Sequence, residues 1–182
     1  MASLGERLIG AAKLDVNTYE EVEADTSATP QAMIVVLLSA LAAGIGSIRD
    51  GGITGMLVIT VAALVGWFIW AGLTFLIGTK MLPEADTNAD MGELLRTTGF
   101  SQAPGLLRVL GIIPVLGGLV SLVASIWMLA AFVIAVRQAL DYKSTGRAVV
   151  VCLIGFVVYF VVVFGLMMMM GAGAAVMGAA TS

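Results

Sequence analysis

Histidine is absent from this chain, and cysteine occurs once, as Cys152 in the apolar run RAVVVCLIGFVV. Without histidine the commonest general base, proton shuttle and metal ligand is missing, and one cysteine builds neither an internal disulfide nor a thiolate cluster. Haem, iron–sulfur and zinc chemistry therefore fall outside the expected function classes, and no cofactor is expected. Charge is scarce as well. Only 12% of the 182 residues are charged while 60% are hydrophobic, with a mean hydropathy of +1.06. An ordinary soluble domain, with about a quarter of its residues charged, is excluded on that ground. The net charge is −3, and no nucleic-acid partner is expected. The start, MASLGERLIGAAKLDV, has acidic residues and no cleavable apolar core, so it does not read as a secretory signal peptide.

What is present from Thr29 onward is a succession of apolar stretches. A hydrocarbon core of about 30 Å needs about 20 residues of helix to cross it, and lipid offers no partner to an open backbone. The expected fold is all-α: a polytopic integral membrane helix bundle of about five transmembrane helices, over residues 30–47, 53–78, 104–116, 119–136 and 148–170, behind an amphipathic N-terminal segment, 1–28. In that segment Leu8, Ala12, Val16, Tyr19 and Val22 recur at helical spacing, predicting one or two short helices on the membrane surface or against the bundle. Thr18 and Glu21 match a capping box. Thr29-Pro30 fits the start of the first span, with a hydroxyl cap and proline in the first turn. Ser39/Ala43, Ala40/Gly44 and Ala42/Gly46 give that span the small-residue spacing for close helix contact, within the bundle or as a dimer seam. Arg49-Asp50-Gly51-Gly52 predicts a tight turn, Trp67 and Trp70 packing, and Pro104 and Pro114 a short, interrupted third stretch. The Met167 to Met170 run points in four directions around a helix, so it reads as apolar filler rather than a copper site.

Arg7 and Lys13 precede the first span, Lys80, Arg96 and Arg108 fall in or near the second connection, and Arg137, Lys143 and Arg147 fall in the fourth; Arg49 alone lies on the other side. The positive-inside rule then puts the N-terminus in the cytoplasm and the C-terminus across the membrane. Arg108 lies inside apolar sequence, where an unpaired charge costs about 2.5 to 3.5 kcal/mol at the membrane centre. It is expected to reach the cytoplasmic interface or to pair with Glu93 or an N-terminal acid; the other reading makes it part of a polar site for lipid phosphate or substrate. Asp86, Asp90 and Glu93 lack the glycine and terminal glutamate of a calcium loop, so no metal site is expected there.

The string GELLRTTGFSQAPGLLRVLGIIP, the small-residue turn behind it and AVRQALDY resemble the Yip1-domain family of polytopic membrane proteins, particularly its short bacterial members, over about residues 15–165. The sharpest part is Gly99-Phe100-Ser101-Gln102-Ala103-Pro104, similar to the family's glycine–aromatic segment and following proline. The resemblance implies five spanning helices, a cytoplasmic N-terminus and, for a bacterial member, the cytoplasmic (inner) membrane. TYEEVEADTSATPQ stands where eukaryotic members carry D-L-Y/W-G-P, so the eukaryotic roles in traffic between endoplasmic reticulum and Golgi and with Rab-type GTPases are not expected.

The expected function is that of a non-enzymatic membrane scaffold or accessory subunit. It would bind other membrane proteins or a larger complex, organise bilayer lipid, or self-associate through small-residue faces. A small-solute or ion transporter or channel component is the alternative, although no acidic residue lies within a predicted span to relay protons. Ser101 and Cys152 have no base beside them in sequence, which argues against catalysis. The candidate partner- or lipid-contact residues are Tyr19, Glu20, Glu21 and Glu23 in the acidic segment, Glu93, Arg96, Gly99, Phe100, Gln102, Pro104 and Arg108 around GFSQAP, and Arg137 in the basic hinge.

Overall fold

Two capping boxes mark where loop gives way to helix: Ser3 with Glu6 starts α1 (Leu4–Ala12), and Asp90 with Glu93 starts α5 (Met91–Phe100). Each satisfies amides that a helix N-terminus leaves without partners. The computed structural model describes residues 2–180, with the side chains of residues 50, 163, 166, 167 and 169–180 outside the description. The packing role expected for Met167 to Met170 therefore lies largely outside the described residues. The remaining helices are α2 (Val16–Ala24), α3 (Thr29–Gly46), α4 (Ile48–Leu76), α6 (Gly117–Ala139) and α7 (Thr145–Ala180). A 3-10 turn, Thr26–Ala28, leads into α3, a π-helical turn, Ile77–Met81, ends α4, and a 3-10 helix, Ala103–Ile112, follows α5. The fold is all-α, as expected.

Four segments are long and apolar enough to cross a membrane: Thr26–Gly46, Gly51–Met81, Gly117–Ala139 and Thr145–Val162. Their outward faces carry large apolar side chains such as Leu57, Val58, Leu119, Leu122, Phe156 and Phe160, the surface that lipid rather than water tolerates. The remaining apolar stretch departs from the expected helix over 104–116. Pro104 has no amide to donate, and the backbone there tightens into a 3-10 helix with a rise of about 2 Å per residue. It nonetheless keeps pace with α3: a Cβ on Gly99 would lie 2.9 Å from the Cβ of Ala32, one on Gly105 2.1 Å from Ser39 Oγ, and one on Gly111 3.3 Å from Gly46 Cα. The end of α5 and the 3-10 helix thus form one broken segment that accompanies α3 from its first turns to its last residue.

Glycine and small residues set the other close approaches. Gly52, at φ +60° and ψ −162°, holds a conformation essentially reserved for glycine and breaks α4 near its start, so the straight part begins at Ile53, as the predicted turn required. Gly44 faces Met56 and Thr60 across the resulting hairpin, and Gly46 faces the carbonyl of Arg108. Ser39, Gly44 and Gly46 on the small-residue faces of α3 therefore meet partners from within the chain.

Two expected caps fall elsewhere. Asp15, not Thr18, caps α2, accepting from the Asn17 amide, while Thr18 packs under Gly10 and donates to Asp15. Ala28 precedes α3 because the Thr26–Ala28 turn carries the chain into it.

The interior has two apolar centres. One joins Ala11, Tyr19 and Val22 to Val35, Phe100 and Ala135, so the N-terminal helices share a core with the bundle. The other joins Ile77, Leu94, Val136, Leu140, Tyr142, Val151 and Cys152. Trp70 stacks on Tyr159 with ring centroids 5.5 Å apart, tying α4 to α7, and Trp67 donates to Thr98 Oγ1 at 3.2 Å, tying α4 to α5.

Candidate functional site

The last turn of α2 has no basic residue of its own to meet its free carbonyls. Arg96 reaches across from α5 and supplies one: its Nε donates to Val22 O at 3.0 Å and Glu23 O at 3.1 Å, and its Nη2 also donates to Glu23 O. A guanidinium at a helix C-terminus satisfies both the carbonyls and the negative end of the dipole. The side chain is 5% exposed. Its consequence is positional, since it fixes Glu23 at the rim of a cleft of about 510 Å³ between α2, α5 and the α6–α7 hinge.

Four carboxylates line this cleft, Glu20, Glu23, Glu93 and Asp141, with Arg137 and Lys143. The two cations are engaged at its margin. Arg137 donates to Tyr142 O at 3.2 Å and Thr145 Oγ1 at 3.3 Å, and Lys143 Nζ meets Asp86 at 2.6 Å. Gln138 reaches Glu20 at 2.9 Å and joins α6 to α2 across the floor. Glu23 forms no ion pair among the described residues. Its carboxyl is pushed up to about 8, first by burial and then by Asp141, Glu93 and Glu20, with Arg96 opposing. Such a group changes charge near neutrality, and the cleft can accept a cation that completes its balance. Asp90 and Glu93 are committed to their capping box and Asp86 to Lys143. Among the described residues no three acidic, cysteine or histidine side chains are placed to hold a metal.

Of the residues singled out in sequence, Glu20, Glu23, Glu93 and Arg137 come together here. The others separate. Tyr19 is fully buried and donates to Ala11 O at 3.1 Å; Phe100 is fully buried beside it; Gly99 and Pro104 are interior, Gln102 is half-buried, and Arg96 is the buried staple just described. Glu21 accepts from Arg7 at 2.9 Å. Arg108 corrects the expectation most: it meets neither Glu93 nor an N-terminal acid, and its backbone lies against Gly46 at the opposite end of α3, with Nη2 donating to Ser125 at 2.9 Å. Because the broken segment follows α3 to its end, Arg108 is carried to the Arg49 end, away from the turn that leads into α3 and from Glu93.

Several residues escaped the sequence reading. Buried Arg7 grips Glu21, Asp25 at 2.6 Å and Gln31 at 3.1 Å, pinning α1 to α2 and α3. Asp141 holds a left-handed φ of +53°, and the Tyr142 hydroxyl shares its one proton between Gly78 O at 3.1 Å and Leu82 O at 2.8 Å, clamping the hinge to the end of α4. Asp141 and Tyr142 were legible only as part of AVRQALDY.

That segment and GFSQAP are the two knots of the bundle, and a family model, the Yip1 domain, matches residues 16–165 around both. The chain belongs to the Yip1-domain family. No curated protein and no solved structure matches it significantly. In this Yip1-domain protein the matched region begins with α2, so half of the N-terminal helical pair, including the acidic wall of the cleft, lies within the family domain. The Yip1 knots themselves serve packing: Gly99 admits Ala32, and Gly78 admits Leu140, whose Cδ1 would stand 2.4 Å from a Cβ there.

Proposed function

We propose that this integral membrane protein is a non-enzymatic scaffold or accessory subunit that seats a Lys or Arg of another membrane protein in the acidic cleft. The observation that carries this reading is Glu23, held among Glu20, Glu93 and Asp141 with a carboxyl pushed up to about 8 and no ion pair among the described residues. A partner's ammonium or guanidinium would remove that frustration, and steering by the cleft's charge would favour encounter. The cleft lies on the face that collects most of the basic residues, which the positive-inside rule assigns to the cytoplasm, here of a bacterial inner membrane.

A photo-crosslinker at Gln138, followed by gentle detergent extraction, tests the reading. A discrete crosslinked membrane protein that disappears in Glu23→Lys and Glu20→Lys supports it. Crosslinks indifferent to both reversals, or a clean monomer with nothing attached, defeat it. Solute flux in liposomes that is abolished by Arg108→Ala would favour transport instead.

A further inference from the structure

At the opposite end of the bundle from the cleft, a cavity of about 820 Å³ opens between the end of α3, the 3-10 helix and the start of α6. Arg49 and Arg108 line it with Ser47, Ser121, Gly111 and Gly118, and among the described residues no carboxylate shares the lining. Arg108 is only half satisfied there: Nη2 donates to Ser125, while Nε is buried without a hydrogen-bond partner among the described residues. Leaving a buried charged donor unmade is costly, and in an apolar setting a guanidinium calls for an anion. The N-terminus of α6 adds to the field, since no side chain caps it and its positive dipole end borders the cavity at Gly117 and Gly118.

We propose that this cavity binds the phosphate of an anionic phospholipid. The geometry of the guanidinium suits phosphate, which accepts in the fork of an arginine. Lipid is favoured over free phosphate by what surrounds the mouth. Leu110, Ile112, Ile113 and Leu116 are exposed on the connection, and Val115 is 90% exposed, so acyl chains find an apolar surface beside the charged cavity. The inference is independent of the cleft, which lies on the other face. Failure of either leaves the other standing.

The test uses the full-length protein in an uncharged detergent, with phosphatidylglycerol, phosphatidylcholine or inorganic phosphate added, read by native mass spectrometry and thermal stability. Phosphatidylglycerol is expected to be retained and to raise the melting temperature, phosphatidylcholine not. Arg108→Gln and Arg49→Gln should weaken retention at least about tenfold. If Arg108→Gln does not fold, Ser121→Asp puts a carboxylate into the same cavity and should also expel the lipid. Equal retention of the two lipids, or retention unchanged in the variants, overturns the proposal. Stabilisation by inorganic phosphate with no lipid retained overturns the lipid assignment and leaves an anion site for a soluble phosphate.

Discussion

Arg7 and Arg96 are both nearly sealed from solvent, and each ties the N-terminal helices down by a different means. Arg7 pairs with carboxylates of α2 and of the turn behind it, whereas Arg96 takes backbone carbonyls, which cannot be titrated away. Arg96→Ala is expected to destabilise the fold by about 2 to 4 kcal/mol, because it orphans two carbonyls and removes charged hydrogen bonds. Arg96→Lys should recover only part of this, since a point ammonium does not span both acceptors. Denaturation in mixed micelles measures both. Glu23 governs the response to pH. Its carboxyl is raised from 4.5 to about 8 in the fold, so the folded state holds a proton that the unfolded state releases. Stability from this group is complete below the unfolded value, declines as pH rises, and is fully lost above about 8. Glu23→Gln is expected to flatten the fall in melting temperature across that window, and a variant with the wild-type slope would contradict the assignment. A bound cation favours the ionised form, so partner affinity should rise as pH climbs through the same range.

At the scale of the element, the weak points are where backbones touch. A methyl on Gly46 would lie 2.1 Å from the carbonyl oxygen of Arg108, whereas one on Gly105 would meet the side chains of Ser39 and Met128. Backbone cannot step aside as a serine hydroxyl or a methionine can. Gly46→Ala is therefore expected to cost about 2 to 3 kcal/mol or more, and Gly105→Ala less, a ranking readable from chemical denaturation of the two variants. The same contrast explains what sequence made legible. Helix existence followed from apolar length, the α3–α4 turn from two glycines, and the small spacing on α3 announced close contact. Neither the partner of that face nor the tightening of the third stretch into a 3-10 helix was readable, because both depend on contacts distant in sequence. GFSQAP looked like a surface because it is polar and distinctive. It is interior because Gly99 and Pro104 let α5 and the 3-10 helix lie directly on α3, and the buried hydroxyls find local carbonyls, as Ser101 does with Thr98 at 2.7 Å. The cleft was half legible: its acids were singled out, but Asp141 joins them only through the hinge.

For the whole molecule, the position of Arg108 changes the charge distribution without reversing it. Arg7, Lys13, Lys80, Arg96, Arg137, Lys143 and Arg147 remain with the face that carries the N-terminal helices, while Arg49 and Arg108 share the other. A cytoplasmic N-terminus with the C-terminus across the membrane requires the broken segment of α5 and the 3-10 helix to carry the chain across. Impermeant thiol labelling of intact cells, in a Cys152→Ala background, decides this with three single cysteines. Ala85→Cys reports the connection before α5, Val115→Cys the connection before α6, and Ile53→Cys the turn between α3 and α4; all three positions are exposed. Because Gly111 lies against Gly46, the cysteines at 53 and 115 are expected to label from outside and the one at 85 to stay protected until the cells are opened. Labelling at 85 and 115 from the same side would mean that the segment dips in and returns, placing Arg108 within the bilayer rather than at its edge. The anion cavity would then have to draw its ligand from the membrane interior, where a charged phosphate headgroup is least stable.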